Sequence, residues 1–343
     1  MKKILILIIL ILILLLGCNK QETSEIANEI PELNIYAIEV FLNDDFYENI
    51  IPVFTKIFEC EVNIIKFPDA RSMLDKAISE KDSSDIDILF GIDNTLLFLA
   101  NQDSLFLQYE SNNLAYIPED IIFDKEYRIN PVCYSNIAFN YNSYVISDPP
   151  ITFGEMQDGK FKDQIIIMDP RSSSLGRAML FWSVAAFGRN GFGHFWRSIK
   201  DNVFNIYDNQ DDAYNAYLAG EAPMILGLDT TPIFHTQNEH TEKYRSTIPK
   251  EGGFKFIEGV GILSSSQHKY YAKKFVDFVL STEFQEKITN EMWMKPANKK
   301  VKLPPDYEIL PKMTNDYTKD LSTRQTRLQY DEWIKKWKRI MLK

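Results

Sequence analysis

Alternating strand and helix patterns in the first third of the chain constrain its fold most. Residues 33–41 and 61–67 carry the alternation and the β-branched and aromatic residues typical of strands. Helical spacing over residues 45–58 lies between these two strands. A second helical segment, residues 72–80, lies between the second strand and a short apolar strand at 86–91. The order β-α-β-α-β predicts a parallel sheet covered by helices, with ligand sites at the carboxyl ends of the strands.

Similar patterns continue towards the C-terminus. Further strands are predicted at residues 137–142, 165–168, 224–228 and 260–264, and further helices at 176–186, 193–200, 211–219, 271–280 and 283–290. Residues 322–341 open with a Ser-x-x-Gln capping pattern, and an apolar stripe in this segment predicts a helix packed on the body. The stripe consists of Tyr330, Trp333, Ile334, Trp337 and Ile340. A chain of 343 residues exceeds the usual size of a single core, so we expect two lobes.

The charge balance limits the classes of partner. The chain has 38 Lys and Arg against 48 Asp and Glu, a formal net charge of −10, and proteins that neutralise a phosphate backbone are normally basic. We therefore expect no nucleic-acid partner. A hydrophobic content of 45% excludes disorder along the whole chain.

The N-terminus predicts export and a lipid anchor. Lys2 and Lys3 precede an apolar run over residues 4–16, which is shorter than the about 20 residues that a membrane-spanning helix needs. The following Gly17-Cys18 completes a segment that resembles the lipobox of bacterial lipoproteins. This resemblance implies a signal peptide over residues 1–17 and fatty acyl groups on Cys18. Residues 18–32 are then a tether that holds the exported body to a membrane, facing the periplasm or the cell exterior.

The two remaining cysteines leave their redox state open. An exported compartment permits a disulfide between Cys60 and Cys133, and two separate buried thiols fit the sequence equally well.

Several segments resemble a known family. The Gly-Glu-Ala-Pro at residues 220–223 and KKFVDFVLSTEFQ at 273–285 resemble solute-binding proteins of ABC importers. DILFGIDNTLL at 87–97, DPRSSSLGRAMLFW at 169–182 and EMWMKPANKKVKLPP at 291–305, with the Trp-rich C-terminal helix, resemble the thiamine-binding periplasmic proteins. The order of these motifs agrees from about residue 33 to the end.

The resemblance implies an α/β fold of the type II periplasmic-binding class, with two lobes joined by crossing strands near residues 137–142 and 258–263. Lobe one would comprise residues 33–138 and 264–311, and lobe two 139–263, with the helical segment 312–343 packed on the lobes. It further implies a monomer without cofactor, metal or catalytic activity, which binds a thiamine-like molecule and passes it to an ABC permease.

Asp93 and Asn94 are the first candidate ligand contacts. They follow the strand at 86–91 and match the family's ligand-contacting Asp-Asn pair. Thiamine carries a cationic thiazolium, which a carboxylate can bind through charge. The alternative is that Asp93 caps a helix beginning at Thr95, and one carboxylate can do both.

Three serines form the second candidate group. Ser172, Ser173 and Ser174 follow the strand at 165–168 and lead into a helix, where free backbone N–H groups and hydroxyls favour an anion or an alcohol. The matching family segment lines the pocket. The alternative is a simple helix cap.

Aromatic rings are the third group, and here the chain departs from the family. Trp293 matches a family tryptophan that can stack on a ring, although core packing is the alternative, and Tyr134 is a weaker candidate. Glu39 follows Ile38 where the family has Tyr-Asp, and Gln210 replaces a tryptophan. The family's Tyr-Thr-Thr-Ser-Pro-Ala-Tyr-His is replaced by a segment that contains Asp229, Thr230 and Phe234. Lost rings weaken stacking, whereas Glu39, Asp93 and Asp229 favour a cation.

Other functions remain as alternatives. One alternative is the same fold with another small cationic or metal solute, including ferric ion. Ferric-ion binders usually have a pair of adjacent tyrosines at the site, and here the only such pair, Tyr270-Tyr271, lies outside the expected position. A non-transport surface lipoprotein is a further alternative. An enzyme is not expected, because neither His-Glu-x-x-His nor Gly-x-Ser-x-Gly is present.

Overall fold

The predicted strands form two sheets that share one long strand. This computed structural model describes residues 30–39, 46–100 and 104–342. Its strands, in chain order, are β1 Glu32–Ile38, β2 Glu61–Phe67, β3 Ile88–Asp93, β4 Phe106–Leu107, β5 Ile129–Asn142, β6 Ile165–Met168, β7 Val203–Tyr207, β8 Met224–Leu228, β9 Tyr244–Thr247, β10 Lys255–Leu263 and β11 Lys295–Pro296.

Helices cover these sheets and connect their strands. The α-helices are α1 Ile51–Phe58, α2 Ala70–Ser79, α3 Leu97–Ala100, α4 Ser174–Ile199, α5 Gln210–Ala219, α6 Thr231–Asn238, α7 Lys269–Val279, α8 Thr282–Glu291 and α9 Thr323–Met341. A π-helical turn at Phe46–Ile50 precedes α1, and a 3₁₀ turn at Asn94–Leu96 links β3 to α3. Further 3₁₀ turns are Asn112–Tyr116, Glu119–Ile121, Glu155–Gln157, Gly159–Phe161, Lys200–Asn202, Pro305–Ile309 and Tyr317–Asp320.

The strand β5 belongs to both sheets. The first sheet runs β2-β1-β3-β10-β5, with the β1 pairs parallel and the β10 pairs antiparallel. The second runs β5-β8-β6-β7, with β6 parallel to both of its neighbours. In β5 the pairing changes after Asn136, which lies opposite Lys255, whereas Ile137 lies opposite Leu228. The predicted α/β class is therefore confirmed.

The structure extends both strands that were predicted to cross between lobes. β5 begins at Ile129 and β10 at Lys255, and the backbone N–H of Ile137 donates to the carbonyl of Phe254 at 2.8 Å. The pairing of β5 thus changes sheet at residues 136–137, next to the start of β10. The lobe boundaries that follow from the resemblance stay a prediction.

The C-terminal helix packs its apolar stripe into the core, as its periodicity predicts. Ser322 caps α9 by accepting from the backbone N–H of Gln325 at 3.2 Å. Trp337 is fully buried, with its ring centroid 5.9 Å from that of Trp196 on α4, and Tyr330 lies 4.8 Å from Phe98. The helix thereby contacts elements of both sheets, because Phe98 follows β3 and Trp196 follows β6.

Residues just before α9 are bound to the start of β10. The buried ammonium of Lys255 contacts Asp120 and lies 2.8 Å from Asp316, and Gly253 forms a β-bridge with Asp316. Burial lowers the pKa of Lys255, but the hydrogen bonds to the two carboxylates outweigh it and leave this pKa raised. The three charged groups tie this segment to the point where β10 enters the first sheet.

The predicted signal peptide, Cys18 and most of the tether lie outside the described residues. Within the described ranges, no helix is both long enough and apolar enough to cross a membrane.

Candidate functional site

Asp93 ends the fully buried strand β3 and caps the turn that follows. Its carboxylate accepts from the backbone N–H of Thr95 at 2.9 Å and from the hydroxyl of the same residue. The capping role predicted as an alternative is therefore present. Contact with a ligand stays a prediction.

The side chain of Arg177 already forms an ion pair with this carboxylate. Nη2 of Arg177 lies 2.9 Å from Oδ2 of Asp93, and both side chains are buried. The guanidinium also donates to Thr95 Oγ1 at 2.7 Å and to Ser174 Oγ at 3.0 Å, while Nη1 is buried without a hydrogen-bond partner. Because Asp93 ends a strand of the first sheet and α4 follows β6 of the second, this ion pair joins the two sheets.

The three predicted serines lie at the beginning of α4 and have different roles. Ser174 donates to Asp93 at 2.9 Å, and Ser173 caps the helix by accepting from the backbone N–H of Gly176 at 3.3 Å. Ser172 is exposed and donates to the carbonyl of Asp208 at 2.6 Å. A Cβ on Gly176 would lie 2.4 Å from the carbonyl oxygen of Met168, so only glycine allows this first turn to approach the end of β6.

Asn94 fixes the end of β3 to β10. Its Nδ2 donates to the carbonyl of Lys255 at 3.0 Å, and its Oδ1 accepts from the backbone N–H of Ile257 at 3.1 Å. Asn94 and Thr95 also line a cavity of about 510 Å³, whose apolar wall includes Phe98, Phe181 and Phe254. The amide is therefore engaged on both of its polar atoms, and a role in ligand contact stays a prediction.

Asp229 forms a second buried carboxylate cluster at the end of β8. It accepts from the backbone and side-chain nitrogens of Asn136 at 2.9 and 2.7 Å, and from Nζ of Lys295 at 2.6 Å. The neighbouring Thr230 shares a hydrogen bond of 2.9 Å with Ser135. Here too the pair joins the sheets, because β8 lies in the second sheet and β11, which contains Lys295, pairs with the first-sheet half of β5.

Aromatic candidates adjoin the Asp229 cluster. Nζ of Lys295 lies 5.8 Å from the ring centroid of Tyr134, whose pKa is raised by burial. Trp293 meets Phe234 edge to face at 5.0 Å between centroids and packs against Tyr307 and Leu310. Its Nε1 is buried without a hydrogen-bond partner. Trp293 therefore has packing neighbours as well as one unused polar group.

Two predicted residues make no contact with the Asp93 or Asp229 cluster among the described residues. Glu39 is exposed just after β1, and Gln210 is exposed at the first position of α5. The two clusters themselves are one strand apart: Asn94 bonds to Ile257 of β10, and Ile257 lies opposite Tyr134 of β5.

Sequence patterning missed three charged residues here: Arg177, Lys295 and Glu258. Glu258 is 4% exposed and lies opposite Asp93 on one side and Cys133 on the other. Burial, assisted by the charge of Asp93, raises its pKa well above the ordinary value for glutamate. A lone charge within the apolar run FIEGVGIL was the available signal, because such a residue must be buried with its strand.

Both remaining cysteines are buried free thiols in this structure, which matches the second of the two alternatives. The thiol of Cys133 lies 3.8 Å from Oε2 of Glu258 and 3.6 Å from the sulfur of Met294. Burial raises its pKa well above that of an ordinary thiol.

Comparison with known proteins places the chain in a family. The family model described as bacterial extracellular solute-binding protein matches residues 50–315. The chain belongs to this family. Such proteins are transport components that bind a small solute and work with an ABC permease. This confirms the prediction that the protein is not an enzyme, and it supports the predicted export.

Individual relatives agree with the resemblance seen in the motifs. A thiamine-binding periplasmic protein of Salmonella typhimurium is 28% identical over 316 residues, which cover 91% of this chain and 94% of that protein. A solved periplasmic thiamin binding protein superposes with a TM-score of 0.81 at 26% identity, covering 92% of this chain and 97% of that one. The apo ferric ion-binding protein A of Pasteurella haemolytica has a TM-score of 0.76 at 17% identity, with coverage of 90% and 97%, and shows the fold alone.

Proposed function

We propose that this family member is the lipid-anchored solute-binding component of an ABC importer for thiamine or a thiamine phosphate. In this proposal the two lobes close over the ligand, and the closed protein delivers it to a membrane permease. The proposal is supported by relatives named for thiamine binding that match most of the chain, including one solved structure.

The contact of Asp93 with Ser174 and Arg177 carries the proposal. It joins the carboxyl end of a first-sheet strand to the first turn of a helix that follows a second-sheet strand. In this proposal, the contact forms when the lobes close and separates when they open. Two residues predicted as ligand contacts, Asp93 and Ser174, would then lie where the lobes meet around a solute.

The charges of the site define what such a ligand must offer. Asp93 and Asp229 are each paired with a cation of the protein, so they attract an external cation less than two free carboxylates would. A thiazolium would then be bound partly by the rings of Trp293, Phe234 and Tyr134. The alcohol or phosphate end would face the hydroxyls and N–H groups that open α4.

Calorimetry with the purified, delipidated protein tests the ligand. We expect heat of binding with thiamine or thiamine monophosphate at ligand concentrations below about a millimolar. If neither ligand gives heat at these concentrations while circular dichroism shows a folded protein, the thiamine assignment is wrong. Family membership would stand, and other small cationic solutes would be tested next.

The anchor is tested separately. We expect the protein to carry acyl groups on Cys18 and to sediment with membranes, and Cys18→Ala to appear in the soluble exported fraction. Mass spectrometry of the N-terminal peptide is the direct measurement. An unmodified Cys18 in membrane-derived protein would disprove lipidation while leaving solute binding intact.

A further inference from the structure

Glu258 differs from the other buried acids of the candidate site because no described residue gives it a cationic partner. Asp93 and Asp229 each form an ion pair, whereas the contact described for Glu258 is the thiol of Cys133 at 3.8 Å. No Lys, Arg or His of the described residues forms an ion pair with it. Buried carboxyls without a counter-charge are costly to keep ionised, so such a group is normally neutral.

The position of Glu258 places it between the two carboxylate clusters. In β10 it lies opposite Asp93 of β3, and on its other side opposite Cys133 of β5, next to Tyr134. The titratable groups that face it are therefore Asp93 and Cys133. The cation next to Asp93 is Arg177, which donates its hydrogen bond to Asp93. Burial first, and the charge of Asp93 second, raise the pKa of Glu258 and so favour its neutral form.

We propose that Glu258 is the residue that receives the positive charge of the ligand: it is a neutral acid in the free protein and ionises when a cation binds beside it. This inference rests on the proposed function, because it assumes a cationic solute in the site. A cation would replace the missing counter-charge, so ionisation becomes favourable only in the complex. Binding of a cation would therefore release a proton, and the affinity would rise with pH.

Two measurements test this, using wild type, Glu258→Gln and the control Glu332→Gln. Gln keeps the volume of a neutral Glu, so we expect the first variant to fold, and Glu332 is exposed on α9. The first measurement needs no ligand. A proton held by the native but not by the unfolded chain makes stability fall as pH rises above the ordinary carboxyl pKa. We therefore expect Glu258→Gln to gain unfolding free energy relative to wild type between about pH 5 and 8, and Glu332→Gln to show a constant difference.

The second measurement is calorimetry with thiamine at neutral pH in two buffers of different ionisation enthalpy. We expect wild type and Glu332→Gln to release a large fraction of one proton per ligand bound, and Glu258→Gln to release none and to bind about tenfold more weakly. Binding by wild type without proton release would overturn the proposal, as would a pH-independent stability difference for Glu258→Gln. If thiamine gives no heat, the proposed ligand is wrong, and the first measurement still decides whether Glu258 is a neutral acid.

Discussion

Asp93 and Asp229 lie at the ends of strands in different sheets, and their partners differ. Asp93 is the last residue of β3 and Asp229 directly follows β8, and each is paired with a cation from the side of the other sheet. Asp229 is also held by two nitrogens of Asn136, at the point where β5 changes sheet. Asp93 is held by the capped turn and by two side chains of α4. The comparison indicates that Asp229 fixes β5 where its pairing changes sheet, whereas Asp93 fixes the first turn of α4 to the end of β3.

Removal of Asp229 should have the largest effect. Asp229→Ala leaves the buried N–H groups of Asn136 and the ammonium of Lys295 without their acceptor, so we expect a loss of about 3–5 kcal/mol in the free energy of unfolding. Urea denaturation followed by circular dichroism measures it. The control Asp148→Ala removes an exposed ion pair with Lys160 and should cost much less, because exposed ion pairs contribute little to stability. Equal losses in both variants would remove the anchoring role of Asp229.

Replacement of Arg177 tests the other side of the comparison. Arg177→Met removes the cation that contacts Asp93 between the two sheets, a contact that closure forms in the proposed function. We expect the affinity for thiamine to fall about tenfold, or about 1.4 kcal/mol, in calorimetry at a temperature where the variant is folded. Lys295→Met is the matched change and should have a smaller effect, because Asn136 still binds Asp229. An unchanged affinity in Arg177→Met would assign Asp93 to the cap alone.

The ring of Trp293 should have a moderate effect on binding. Trp293→Ala removes a ring that can stack on a cationic ligand, so we expect about fivefold weaker binding of thiamine, near 1 kcal/mol. Tyr307→Phe is the control, because it alters the same packing cluster without removing a ring. If both changes weaken binding equally, Trp293 acts through packing with Phe234 and Leu310.

The pairing of Lys255 with Asp316 should give the smallest effect, and one that depends on pH. Burial raises the pKa of Asp316, but hydrogen bonds from Lys255 and Thr318 lower it more, so its folded value lies below the ordinary one. The stabilisation is therefore present above about pH 4 and is lost as pH falls through the folded pKa. We expect Asp316→Asn to cost about 0.5–1 kcal/mol at pH 6 and less near pH 3 in urea denaturation. A loss that is equal at both pH values would contradict the ionic role.

Much of the fold was predictable because several strands carry strong local signals. The predicted bounds of β2, β6 and β8 match the structure, since alternation or continuous apolar residues mark them. Two strands were missed. The edge strand β7 pairs with β6 alone, and the short polar strand β9 has few apolar residues. The first half of β5 was also missed, since Pro131 and polar neighbours interrupt its pattern.

The charge pairs show where local patterns stop being informative. Residues 176–186 and 193–200 were predicted as separate helices, and the non-helical backbone of Gly188, where φ is 66°, divides α4 between them. The positions of Asp93 and the serines follow from strand ends and could be predicted. The pairing of Arg177 with Asp93, and of Lys295 with Asp229, depends on which strands become neighbours across the two sheets. That information is not contained in the spacing along the chain.

The position of β10 has a consequence for how the protein is made. The first sheet places β3, which ends at Asp93, beside β10, which begins at Lys255. Synthesis delivers these partners far apart in time, so the edge of β3 remains open until most of the polypeptide has left the ribosome. Early segments therefore cannot complete their half of the molecule alone. A nascent chain that finishes folding late stays unfolded for longer. An unfolded chain is what a translocation pore can accept from an exported protein.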